Sequence, residues 1–190
     1  MIKQAKGDLN GDGVADLAVV FEEDNPTNIK KSKALLAPFP INTNPRTLVV
    51  LFAEAGGYRK VVENKTLVPP EGDMETPCLE DPLSSVTIRN GVLKLDFAHF
   101  LNCASWSASR AVYTFRYDGT GLRMIGKHLS TGMRHTGGDA TTDSSNYLTG
   151  KRKLQGYEGT EEDGVVWRTH WKALPKTAPL YLEALKKPEL

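Results

Sequence analysis

Short apolar runs separated by Gly and Asn or Asp recur along this chain, and few stretches carry the spacing of a long amphipathic helix. The pattern predicts a mainly β fold: an antiparallel meander of hairpins, as a sandwich or open barrel-like sheet, with a short C-terminal helical strap. The sharpest unit is "SSVTIRNGVLKLDF", residues 84 to 97. Its Asn90-Gly91 pair suits a two-residue type I′ turn, where both central residues take positive φ. That turn sets Ile88 opposite Leu93, Val86 opposite Leu95 and Ser84 opposite Phe97, with Thr87 and Lys94 on the other face. "AVYTFRYDGTGLRMIG" predicts a second hairpin turning at 118 to 121, with Phe115 near Met124 and Tyr113 over the bare backbone of Gly126. Further strands are predicted over 16 to 21, 47 to 54, 58 to 63, 147 to 155 and 165 to 171.

Two long segments interrupt the meander, "EEDNPTNIKKSKALLAPFPINTNPR" and "VPPEGDMETPCLEDPL". Such lengths without regular structure are uncommon in a compact domain unless they are mobile or functional. At the end, residues 172 to 190 read as a strap that lays Leu180, Leu182 and Leu185 on the body. The whole of 1 to 190 reads as one domain, with 1 to 16 forming an acidic loop and its lead-in.

Composition narrows the function classes. A chain of 190 residues with 39% hydrophobic content can bury a core. Its 24 basic and 23 acidic residues leave a formal charge of +1, so no global field draws it to nucleic acid or an anionic membrane. The expected partner is therefore a protein recognised locally. No apolar run reaches the roughly 18 to 20 residues of a membrane-spanning helix. The start "MIKQAKGDLNGDG" lacks a signal-peptide core and opens almost directly on the acidic loop. The expectation is an export signal, or a lipid anchor, removed ahead of Met1. Cys78 and Cys103 allow two readings: a disulfide closing a loop of about 25 residues in an exported protein, or two buried thiols.

The acidic loop lies in "GDLNGDGVADLAVV", residues 7 to 20. Counted from Asp8, oxygen-bearing side chains fall at positions one, three, five and nine: Asp8, Asn10, Asp12 and Asp16. Gly13 at position six permits the sharp turn that lets the Val14 carbonyl point inward, giving five oxygens for a structural Ca²⁺. Position twelve is Val19 rather than a bidentate Glu, and a strand-like run follows, which disfavours an EF-hand. The same residues could close the loop without an ion, through Asx turns.

D-x-N-x-D-G-x-x-D running into an apolar strand resembles the calcium loops of FG-GAP and VCBS-type proteins, where the loop joins strands of integrin-like propeller blades. One copy does not make a propeller. The resemblance implies metal contacts by Asp8, Asn10, Asp12, Asp16 and the Val14 main chain. The order "RTLVVLFAEAGGYRKVVEN", "VTIRNGVLKLDF", "YTFRYDGTGLRMIGKHLS", "NYLTGK", "WKALPKTAPLYLE" is similar to VCBS-like bacterial exported proteins and lipoproteins. This implies a periplasmic or secreted, β-rich protein and no particular activity.

Familiar catalytic signatures such as GxSxG, HExxH, GxxxxGK and GxGxxG are missing, and the four histidines are scattered. "STGMRHTGGDATTDSS", residues 130 to 145, reads as a long solvated hairpin loop that gathers Arg134, His135, Asp139 and Asp143. Trp106, with Arg110 and Tyr113, adds types enriched in binding hot spots. The "GKRK" cluster reads as a solvated strand end. The expectation is a non-enzymatic, exported β-domain acting in protein binding or as an envelope accessory. Partner contacts are expected from Arg134, His135, Asp139 and Trp106. A specialised form is an inhibitor or immunity protein that docks 130 to 145 or 65 to 82 into a toxin or hydrolase. The alternative from another class is a small hydrolase with its site near 130 to 145.

Overall fold

The computed structural model describes residues 1 to 33, 39 to 103, 107 to 133, 139 to 158 and 166 to 188. The first sheet takes the order β1-β2-β5-β6, from β1 (Lys3–Gly7), β2 (Asp16–Glu22), β5 (Arg46–Glu54) and β6 (Gly57–Asn64). Between β2 and β5 the chain forms a small ribbon of β3 (Ile29–Lys31) and β4 (Pro40–Asn42). The second sheet is a seven-stranded meander in chain order. It comprises β7 (Leu83–Arg89), β8 (Val92–Phe100), β9 (Ser107–Tyr117), β10 (Leu122–Met133), β11 (Asp139–Asn146), β12 (Lys151–Glu158) and β13 (Val166–Ala173). Every ladder is antiparallel, and the sheets close into neither a barrel nor a propeller.

Strand alternation builds the core. On β5 Leu48, Val50 and Phe52 point inward, and on β8 Leu93, Leu95 and Phe97 do the same. These meet β2, β7, β9 and the start of β10 in one buried cluster, with Phe52 edge-on to Tyr117 at 4.9 Å and Phe97 edge-on to Tyr113 at 5.9 Å. The strands β7 to β10 therefore pack over the first sheet as a sandwich. At one margin β1 runs beside β7 so closely that a Cβ on Gly7 would lie 2.7 Å from Ile88 Cγ2. The described residues of β11, β12 and β13 contribute no buried apolar side chain. They extend past the sandwich as a three-stranded wing.

The Asn90-Gly91 turn has the positive φ angles expected, 52° and 70°, and pairs Ile88 with Leu93, Val86 with Leu95 and Thr87 with Lys94. Ser84 does not face Phe97: a bulge extrudes it, Leu83 takes the place, and the core gains a buried leucine. A bulge at Ile125 likewise puts Thr114, not Tyr113, opposite Gly126, while Phe115 meets Met124 as expected. The strand predicted over 147 to 155 is a turn at 147 to 150 followed by β12, and the expected long loop over 130 to 145 is mostly strand. Pairing with neighbours overrides the polar composition of "TTDSSN". β1, β3, β4 and β11 were not expected. The strap begins after Ala173, with a 3-10 turn at Leu182–Ala184. Leu182 is fully buried and Leu185 packs on the core, but Leu180 is exposed and contributes its carbonyl to the Met124 N–H at 2.7 Å.

Candidate functional site

In the acidic loop, the positive-φ residues Gly11 and Gly13 let the backbone curl around Asp8, whose two oxygens accept their N–H groups at 2.7 and 3.0 Å. Asn10 Oδ1 accepts from the Asp12 N–H, and Asp12 accepts from the Val14 N–H at 2.7 Å and the Asn10 amide at 2.9 Å. Those bonds, the Val14 one foremost, hold the Asp12 carboxyl below the usual range. Asp16 faces the other way: it is fully buried and accepts from Leu9 N–H at 2.8 Å and Ala53 N–H at 2.9 Å. Asp8, Asn10 and Asp12 are hard oxygen donors that suit Ca²⁺ chemically. Asp16 in this arrangement ties the loop and β2 to β5. Among the described residues, no three His, Cys, Asp or Glu side chains converge as a metal cluster.

The proline-rich segment between β6 and β7 is anchored at several points. Arg46, 2% exposed, donates through Nε to Glu22 at 2.8 Å and through both Nη atoms to Asp81 at 2.6 and 3.0 Å. Burial alone would lower its pKa; the paired carboxylates outweigh this and raise it. Buried Asn64 donates to the carbonyls of Leu182 and Leu185 and accepts from Thr66 and Leu67 N–H. Cys78 and Cys103 form a disulfide, with Cα atoms 5.7 Å apart. A cavity of about 560 Å³ lies among Arg46, Pro69, Pro70, Thr76, His99 and Lys187.

The wing exposes both faces. Register places Lys153, Gln155 and Tyr157 of β12 beside Trp171, Thr169 and Trp167 of β13. Tyr157 and Trp167 meet edge-to-face at 4.9 Å, and Lys153 Nζ sits 5.9 Å from the Trp171 ring centroid. Tyr157 is 61% exposed and Trp171 65%. The opposite face continues the inward side of the second sheet beyond the sandwich, as a groove of about 670 Å³ lined by Leu129, Thr131, Thr141, Leu154, His170 and Lys172. Arg152 donates to Asp143 there, Nε to Oδ1 at 2.8 Å, and this pairing holds the Asp143 carboxyl low.

Of the residues expected to bind a partner, Trp106, Arg134 and His135 lie outside the described residues. Asp139 opens β11 opposite Gly132, and its side chain lies outside the described residues. Asp143 is in β11 and held by Arg152. The exposed aromatics on the wing were not singled out. Their signal was the alternation in "WRTHW", which puts both tryptophans on one face of a strand. His128 Nδ1 and Ser144 Oγ lie 2.7 Å apart across β10 and β11, a Ser–His contact that no motif announced. Ser144 sits within a regular strand rather than a sharp turn.

Among the described residues, no helix is long and apolar enough to cross a membrane. The chain matches no family model, no curated protein and no solved structure in comparisons with each.

Proposed function

We propose that this chain is a non-enzymatic binding domain of an exported bacterial protein, whose wing of β11 to β13 receives a protein partner. The observation that carries the reading is the row of solvent-facing Tyr157, Trp167 and Trp171 on strands that add nothing to the buried apolar core. Large aromatics held on a rigid sheet offer contact area at low entropic cost, and such residues dominate binding energy. The Cys78–Cys103 bond supports an oxidising compartment, periplasmic or extracellular. Calcium belongs to the reading as a structural ion at Asp8, Asn10, Asp12 and the Val14 carbonyl, drawn to the exposed side of the loop, with Asp16 bracing that loop from within. An inhibitor or immunity role is a specialised form of the same reading.

The test is capture from envelope extract of the source by the immobilised chain, followed by titration of the captured protein against wild type and Tyr157→Ala/Trp171→Ala. The double variant is expected to bind at least about tenfold more weakly. Equal affinity would move the partner surface off the wing. The His128–Ser144 contact favours a second reading, a small hydrolase with Ser144 as nucleophile and His128 as base. Covalent labelling of Ser144 by a fluorophosphonate, lost in His128→Ala, would establish it; an unlabelled protein would dismiss it.

A further inference from the structure

We propose that β13 pairs edge to edge with β13 of a second copy of this chain, antiparallel about a two-fold axis at Thr169. Of the other margins of the two large sheets, β1 lies beside β7, and β6 is held to the strap at its Asn64 end by the bonds to Leu182 and Leu185. Among the described residues β13 ends its sheet with no strand on its outer side. Which groups face outward follows from alternation. Leu174 N–H donates to the Gly150 carbonyl at 2.8 Å, in line with the register pairing Lys151 with Ala173. In an antiparallel ladder hydrogen-bonded pairs alternate, so Lys172, His170 and Arg168 bond to β12, whereas Trp171, Thr169 and Trp167 aim N–H and C=O at the open side.

Side chains select the register. With Thr169 opposite Thr169 of the second copy, Trp167 faces Trp171, both of those pairs exchange outward backbone hydrogen bonds, and the tryptophans form cross-strand aromatic pairs. Arg168 then faces His170 of the other copy, and in each copy Glu158 already reaches these groups, 2.7 Å from His170 and 3.8 Å from Arg168. A two-fold at Arg168 would set Arg168 against itself, and one at His170 would set Arg168 against Lys172; like charges directly opposite are unfavourable. The basic residues that shield an exposed edge from indiscriminate pairing thus disfavour the axes at Arg168 and His170 and admit the one at Thr169. It aligns the two aromatic faces side by side without covering them, so this inference does not depend on the proposed partner.

An edge pairing alone buries less than a standard interface of about 1,200–2,000 Å², so the dimer is expected to form on the order of 10–100 µM. Sedimentation equilibrium should show the mass rising from 20.9 kDa toward twice that between about 5 and about 500 µM. Over the same range the amides of Trp167, Thr169 and Trp171 should become roughly tenfold slower to exchange, while those of Arg168 and His170 stay protected throughout. Thr169→Pro removes an outward N–H and should abolish both changes. Thr169→Lys keeps the N–H, sets like charges together at the axis, and should do the same if the proline disturbs β12. A chain that stays monomeric, a dimer unaffected by Thr169→Lys, or concentration-independent exchange at Trp167, Thr169 and Trp171 would overturn the proposal. Failure of the partner reading shows elsewhere, as binding insensitive to Tyr157 and Trp171.

Discussion

Asp16 and Asp12 stand four residues apart in one acidic motif and do different work. Asp16 is buried with each oxygen accepting a main-chain N–H, from Leu9 and from Ala53, so its removal strands one buried and one part-buried donor. Asp16→Ala is expected to cost about 3–5 kcal/mol in chemical denaturation, whether or not calcium is present. Asp12→Ala, on an exposed turn, should leave the denaturation midpoint nearly unmoved without the ion. Calcium at about ten times its dissociation constant should add about 1.4 kcal/mol to wild type and nothing to Asp12→Ala; a midpoint unmoved by calcium would leave the loop an Asx turn alone. Acid provides a separate handle. The folded chain holds Asp143 low mainly through Arg152, and Asp118 low through the N–H groups of Thr120 and Gly121. Below about pH 4 the unfolded chain therefore binds more protons than the folded one. Their stabilisation is present above that range and declines as pH falls through the folded values. Arg152→Gln should remove the Asp143 share, about 0.5–1 kcal/mol after allowance for solvent exposure, and flatten the fall in urea midpoint between about pH 4 and pH 2.

At the scale of elements, the segment between β6 and β7 is fixed less by its own conformation than by Arg46, Asn64 and the disulfide. Reducing the Cys78–Cys103 bond, whose partners are 25 residues apart, should lower stability by about 3 kcal/mol in the loop-closure account, read as a drop in thermal midpoint on reduction. Arg46→Met should cost at least as much, because Glu22 and Asp81 would both lose their cation. Neither link was fixed by sequence alone. Cysteine spacing allowed thiols as readily as a bond, and an arginine at the head of an apolar strand carries no sign that two carboxylates will close on it. The hairpins were legible where turn chemistry and apolar alternation agreed, as at Asn90-Gly91. They went astray at Ser84 and Ile125, since a bulge is chosen by which side chain the core accepts and not by local pattern. β11 was hidden because "TTDSSN" has no apolar alternation. Its cross-strand contacts are polar instead, Thr131 with Thr141 at 2.7 Å and Asp143 with Arg152. The acidic motif was visible at once, but the inward turn of Asp16 depends on β5, which no reading of residues 7 to 20 could supply.

At the scale of the whole molecule, the seven-stranded sheet carries two regimes of stability. From β7 to β10 each strand buries apolar side chains against the first sheet, whereas β11 to β13 are held to the body by the β10–β11 ladder and by polar and aromatic contacts on open faces. Local opening costs little where few apolar groups are uncovered. Amides of Lys153, Gln155 and Arg168 should therefore exchange through openings of the wing, at free energies well below the global value. Those of Leu95, Ala111 and Phe115 should exchange only by global unfolding. Addition of denaturant at low protein concentration separates the two classes. Global exchangers follow the full slope of the unfolding transition, and wing exchangers a shallow one. If β12 amides showed the same slope and free energy as β8 and β9, the wing would open only together with the core. That outcome below the association range would contradict an independently opening wing. The same result only above it would mean that pairing at β13 couples the wing to the rest of the fold.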